Sequence, residues 1–214
     1  AVALYLAAAG VGRLVVADSD RVELTNLQRQ ILYETDVVGR TKVEVAGERL
    51  RALNPDVRVQ TLATRLDDAN LPELVRGVDA VADGCDNFAT RFAVNRACVA
   101  ERRPLISAAV IRMTAQLAVY RNDHAGAPCY RCVFPETDEE AERCSETGVL
   151  GPLVGMIGGL QAVETVKLLA GLGRTLDSRL LTLDAETQAW RTLQLVADPA
   201  CPVCGTGAVA APPT

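Results

Sequence analysis

Four of the seven cysteines in this 214-residue chain form two pairs of equal spacing, Cys129/Cys132 and Cys201/Cys204. Any fold the chain adopts must say what these pairs do. An acidic chain of this size without a secretory signal pattern is expected to keep its thiols reduced. The pairs then read as one four-thiolate Zn²⁺ site. A redox CxxC and unmetallated core thiols are the other readings. Residues 133–200 separate the pairs, more than a compact zinc ribbon spans. A shared ion would therefore tie a long internal loop to the end of the chain.

Composition removes several function classes. Hydrophobic residues make up 49% and charged residues 23%, which suits a packed globule and not a disordered chain. The net charge of −5 offers no basic patch for nucleic acid, and 4% aromatics offer no base-stacking platform. His124 is the single histidine, which nearly removes histidine triads and histidine-rich metal sites. Thr147 to Val163 is uncharged and glycine-rich but shorter than a membrane span, and Glu164 and Lys167 follow. It reads as a buried helix. No membrane partner and a cytoplasmic location are the expectations.

Hydrophobic periodicity predicts alternating elements. Residues 1–9 form an alanine-rich helix ended by Gly10 and Gly12, and LVVAD (14–18) is a strand. Residues 39–55 form an amphipathic helix with Val43, Ala46, Leu50 and Leu53 on one face. A strand (57–63), a short helix (70–77), a buried strand (78–86), a helix (88–101) and a strand (104–110) follow. Residues 116–121 read as an edge or antiparallel strand, 149–172 as a glycine-rich helix, and 179–185 with 189–196 as a hairpin. This order predicts an α/β class: a Rossmann-like, mostly parallel sheet flanked by helices, with a C-terminal antiparallel extension and the four-cysteine zinc site. One domain, 1–205, is expected, with 206–214 as a flexible tail or linker.

Polar runs interrupt this pattern where chemistry is plausible. Asp18 ends a strand, where dinucleotide folds place an acid about 20 residues beyond a glycine-rich phosphate loop to hold a ribose hydroxyl. Counting back puts that loop before residue 1, so the first strand and its glycine loop are expected to precede Ala1. Capping of a strand-to-loop turn explains Asp18 equally well. TNLQRQ (25–30) and Lys42 combine an arginine fork with a lysine point charge, which suits a polyphosphate or an ordinary solvated surface. DGCDN (83–87) follows a buried strand, where open α/β sheets bind ligands. Asp86 there can hold Mg²⁺ beside a nucleotide or cap the next helix.

Six ordered motifs together resemble the MoeB/ThiF family, adenylating enzymes related to ubiquitin-activating enzymes. They are DxDxVELTNLQRQ with GxxKVE (39–44), DGCDNFATR (83–91), PCYRC (128–132), the long run 144–169, and CPVCG (201–205). The resemblance implies ATP-dependent adenylation of the C-terminal glycine of a ubiquitin-like sulfur-carrier protein. That step prepares the carrier for thiocarboxylate formation in molybdopterin, thiamin or cysteine biosynthesis.

It also implies roles. Asp18 would bind the ATP ribose. Thr25, Asn26, Arg29 and Gln30 would face the phosphates with Lys42. Asp86, beside Asn87, would hold Mg²⁺, and Cys129, Cys132, Cys201 and Cys204 would hold Zn²⁺. Cys144 matches the family's loop cysteine, which in some members joins covalently to the carrier; a spectator thiol is the alternative. Cys85 and Cys98 read as packing residues. The resemblance further implies a homodimer in which an arginine, without counterpart in this chain, crosses between subunits. A sulfurtransferase or rhodanese-like partner or domain is also implied. A zinc-bearing non-catalytic subunit and a nicotinamide-dependent dehydrogenase are the competing functions. The latter calls for a hydride-transfer acid and leaves NLQRQ without a purpose.

Overall fold

The computed structural model describes residues 1–136 and 148–205. Cys144 and the expected tail 206–214 lie outside the described residues.

The chain opens with helix α1 (Val2–Ala8), which Gly10, at φ +79°, turns into strand β1 (Arg13–Ala17). Helix α2 (Lys42–Leu53) then leads to β2 (Arg58–Leu62), which pairs parallel to β1 from Arg13↔Arg58 to Ala17↔Leu62. Val43, Ala46 and Leu50 of α2 are buried as their spacing predicts, and Val45 joins them. Leu53 does not: it is 49% exposed, because the helix ends there and Asn54 turns the chain away. Leu50 meets Leu6, Leu14 and Val59 in one apolar cluster shared by α1, α2, β1 and β2.

The remaining strands form a second sheet. Helix α3 (Leu71–Arg76) precedes β3 (Val81–Asp83), and α4 (Phe88–Ala100) precedes β4 (Leu105–Ile111). After β5 (Thr114–Tyr120) come a single helical turn α5 (Tyr130–Val133), the long helix α6 (Gly151–Ala170), and the hairpin of β6 (Arg179–Asp184) and β7 (Ala189–Gln194). The strand order is β3-β4-β5-β6-β7, with β3 and β4 parallel and the later pairings antiparallel. Parallel pairing followed by an antiparallel extension is the expected layout. Strand β5 lies inside this sheet, between β4 and β6, so of the two expectations for residues 116–121 the antiparallel one holds and the edge one does not. The edge strands of this sheet are β3 and β7.

Side-chain alternation builds three layers from this sheet. Leu105, Ala118 and Tyr120 face Phe92, Val94 and Cys98 of α4. Their neighbours Ile106, Leu117 and Val119 face Leu153 and Ile157 of α6 on the other side. Helix α6 is long and apolar enough to cross a membrane by length and composition. It nevertheless carries buried Gln161, Glu164 and Thr165, all hydrogen-bonded within the fold. Gln161 donates to the carbonyls of Asp83 and Ile106, both at 2.9 Å, and so pins β3 and β4 together. Close approach uses Gly158, where an added Cβ would meet Ala1 at 2.7 Å, and not Gly155, which has open space. Met156 and Val163 remain exposed on the far face, and Leu169 is exposed elsewhere on the helix.

Between the outer edges of β1 and β3, neither with a strand partner among the described residues, lies a cleft of about 1650 Å³.

Candidate active site

Strand ends and the turns after them supply the polar wall of this cleft. Asp18, Asp20, Arg29, Gln30 and Lys42 line it from the β1 side; Asp83, Asp86 and Asn87 line it from the β3 side. Charged groups gather here because a parallel strand stops at its C-terminal end without a tight hairpin, leaving its following loop free to carry side chains.

Asp18 continues β1 by one residue, its N–H bonded to the Leu62 carbonyl at 3.1 Å. Its carboxylate accepts from the Asp20 N–H at 2.8 Å. Burial pushes the Asp18 carboxyl above its ordinary range, opposed by that N–H and by Lys42, while Asp20 and Asp86 add like charge. Lys42 is the first residue of α2, and its side chain is only 7% exposed. A buried ammonium requires a partner. Lys42 Nζ lies 2.8 Å from Asp20 and 3.9 Å from Asp18. Asp20 was not singled out by sequence reasoning. Its signal was present as the second acid of DxD, but nothing in the chain order indicates a partner at Lys42.

The NLQRQ run folds as a 3₁₀ turn, Leu24–Asn26, followed by further turns. Backbone N–H groups of Arg29 and Gln30 both bond to the Asn26 carbonyl, at 3.1 and 2.9 Å. The Asn26 side chain accepts from the Arg29 guanidinium at 2.7 Å. Asn26 therefore orients Arg29 and does not itself line the cleft. Gln30 Oε1 is buried with no hydrogen-bond partner among the described residues. Thr25 is exposed and, like Asn26, lies off the cleft wall. The run is held close to α6: an added Cβ at Gly151 would come within 2.1 Å of the Gln28 carbonyl oxygen.

On the β3 side, Asp86 is exposed in the turn between β3 and α4. Asn87 caps α4, its side chain accepting from the Thr90 N–H at 2.9 Å. The helix-cap alternative for this turn thus belongs to Asn87, which leaves the Asp86 carboxylate uncommitted to capping. Cys85 and Cys98 have their thiols pushed up by burial, Cys98 to about 12, so neither offers a thiolate. His124 is exposed beside Arg121 and Asp123 and does not line the cleft.

The four paired cysteines converge beside Asn95 of α4. Their sulfurs all lie within 4.8 Å of one another. Cys129 is 4.0 Å from Cys132 and 3.8 Å from Cys201, and Cys132 is 3.3 Å from Cys204. A tetrahedral Zn²⁺ with bonds of about 2.3 Å has sulfur–sulfur edges of about 3.8 Å. The cluster fits that ion. Burial pushes the Cys129 thiol up to about 11, so a cation is what would hold it as thiolate. Asn95 donates to Cys129 Sγ at 3.6 Å, and the Asp198 N–H to Cys132 Sγ at 3.5 Å. Such outer hydrogen bonds orient metal ligands.

Comparison with known proteins places these features. The profile of the ThiF family matches residues 1–203. The chain is 46% identical over 207 residues to the SAMP-activating enzyme E1 of Haloferax volcanii, covering 96% of this chain and 76% of that protein. It is 45% identical over 203 residues to the sulfur carrier protein ThiS adenylyltransferase of Escherichia coli, covering 95% and 80%. Among solved structures, Escherichia coli MccB with MccA-N7isoASN superposes with a TM-score of 0.82 at 23% identity. That match covers 96% of this chain and 63% of the MccB chain, and at that identity it speaks for the fold alone.

Proposed function

The chain belongs to the ThiF family, and from that premise we propose that it is an ATP-dependent adenylyltransferase of a ubiquitin-like sulfur-carrier protein. The observation that carries the reading is one cleft that gathers Asp18, Arg29, Gln30, Lys42 and Asp86 at the ends of β1 and β3. The carrier's C-terminal carboxylate is ionised at neutral pH, so no general base is required. Its oxygen attacks the α-phosphorus of ATP, and pyrophosphate leaves. Asp18 would receive the ribose hydroxyls, and the buried acceptor of Gln30 would find a donor in the ligand. Arg29 and Lys42 would meet the phosphates; Lys42 already sits buried, so its charge acts with little screening. Two anions approach each other in this reaction, and positioned cations are the chief aid the protein can give. Asp86 is the residue that would hold Mg²⁺, which when bound neutralises charge on the phosphates.

Cys129, Cys132, Cys201 and Cys204 would hold a structural Zn²⁺. A covalent role for Cys144 in carrier transfer remains part of the proposal. A strand bearing the glycine-rich phosphate loop would occupy the space between β1 and β3, completing one sheet, with residues 1–205 as a single adenylation domain. The exposed Met156 and Val163 face of α6, with Tyr5 beside it, supports a homodimer. Molybdopterin, thiamin or cysteine biosynthesis, in the cytoplasm, is the setting we assign to it, with a sulfurtransferase as the next partner. Carrier-dependent ATP–pyrophosphate exchange tests the reading: exchange that needs the carrier's intact C-terminal glycine supports it, and its absence with every candidate carrier refutes it. Light scattering tests the dimer.

A further inference from the structure

We propose that Arg91 is a positioning residue, its guanidinium fixing the turn after β3 so that the Asp86 carboxylate is presented to the cleft; this rests on the adenylation reading above. Arg91 lies one turn into α4 and is only 7% exposed. Its Nη1 donates to Asp83 Oδ2 at 3.0 Å and to the Ser107 hydroxyl at 3.2 Å. Its Nη2 donates to the Cys85 carbonyl at 2.5 Å and to the Ala108 carbonyl at 2.9 Å. The same Asp83 carboxylate accepts from the Cys85 N–H and from Ser107, at 2.8 and 2.9 Å.

Both backbone groups of Cys85 are thus held, and Asn87 is anchored by its cap to Thr90. Asp86 lies between two fixed residues with its side chain exposed. Helix α4 is itself clamped one turn further along. Asn95, one turn beyond Arg91, accepts from the Tyr130 N–H at 3.0 Å and donates to Cys129. The Tyr130 ring meets Phe92 edge-on at 5.5 Å. The turn and the cysteine cluster therefore share one rigid helix. A planar guanidinium can serve acceptors on two strands and the turn at once; an ammonium cannot reproduce that fork. Although Arg91 borders the cleft, these bonds orient it inward, toward the protein.

The test measures carrier-dependent exchange against Mg²⁺ and against ATP in the full-length protein, with thermal unfolding alongside. Arg91→Lys keeps a charge for Asp83. The double variant Asp83→Asn/Arg91→Gln removes both buried charges and guards against a single variant that does not fold. A folded variant should need about tenfold more Mg²⁺ for half-maximal exchange while its ATP KM stays within about twofold. Unchanged Mg²⁺ dependence in a folded variant overturns the proposal. So does a raised ATP KM with unchanged Mg²⁺ dependence, which would mark direct contact with the nucleotide. A wild type silent with every carrier refutes the adenylation reading instead. Mn²⁺ binding to the ATP complex, read by electron paramagnetic resonance, then decides: weaker binding in the variants supports positioning, and equal binding overturns it.

Discussion

The two ends of this molecule are built on opposite principles. At the antiparallel end, β4 to β7 form an unbroken ladder, and apolar side chains fill both faces of its inner strands. The four-cysteine cluster joins α5 to the segment beyond β7. At the parallel end, the turns after β1 and β3 gather like charges at one cleft, including Asp18, Asp20 and Asp86. The first end buries apolar side chains, and the second holds carboxylates where burial and like charge disfavour ionisation of Asp18. Substitutions should therefore separate activity from stability according to which end they touch.

The sharpest separation is expected at Asp86. Asp86→Ala should abolish carrier-dependent pyrophosphate exchange, a loss of about 10³-fold or more, with an unchanged unfolding curve. The residue is exposed and makes no structural cap. Exchange close to wild type would remove Asp86 from the chemistry. At the other end, Cys201→Ser should show the reverse. Losing one of four ligands to a structural ion should cost about 3 kcal/mol, or about 6–12 °C in Tm for a chain of this size. Metal analysis should fall from about one Zn per chain, while the folded fraction keeps its ATP affinity. A metal-free wild type that is well folded would break the comparison at this end.

Gly151 probes the contact between the phosphate-facing run and α6. Gly151→Ala places a methyl against the Gln28 carbonyl and should cost about 1–3 kcal/mol. Because Arg29 is the next residue, the ATP KM should rise as well. A lower Tm with an unchanged ATP KM would show that α6 does not support Arg29.

The smallest effect concerns Asp18 and pH. Its folded carboxyl titrates above the unfolded value, chiefly because burial disfavours the charge. Stability from this group is thus full below the unfolded value and is lost as pH rises through the folded one. Asp18→Asn should raise Tm slightly at pH 7, and the gain should fade as the pH is lowered toward about 4. A gain that persists in acid would assign the effect to shape and not charge. The same variant should weaken ATP binding, so its two effects oppose each other.

Residues close in the chain were the ones legible beforehand. The paired cysteines, the face of α2 formed by Val43, Ala46 and Leu50, and the β6–β7 hairpin all follow from short-range spacing. Asp18, Arg29 and Lys42 could be selected as candidates, but the residues alone left them open to surface or capping roles. Arg91 was passed over because an arginine in a helix ordinarily faces water, and only β3 and β4 beside it supply acceptors. The Asp20–Lys42 pair was invisible for a similar reason: 22 positions separate them.

The sequence by itself determined the family, the α/β class and the sets of side chains that could bind nucleotide and metal. Local periodicity and motif spacing depend only on neighbours in the chain. The tertiary structure alone decided that β5 is interior, that Gly151 and Gly158 provide the close approaches of α6, and that Lys42 and Arg91 are buried with Asp20 and Asp83 as their respective ion-pair partners. The reason is that burial and pairing are properties of space. A charged side chain shows its role only when the strands and helices around it exclude water and supply its partners.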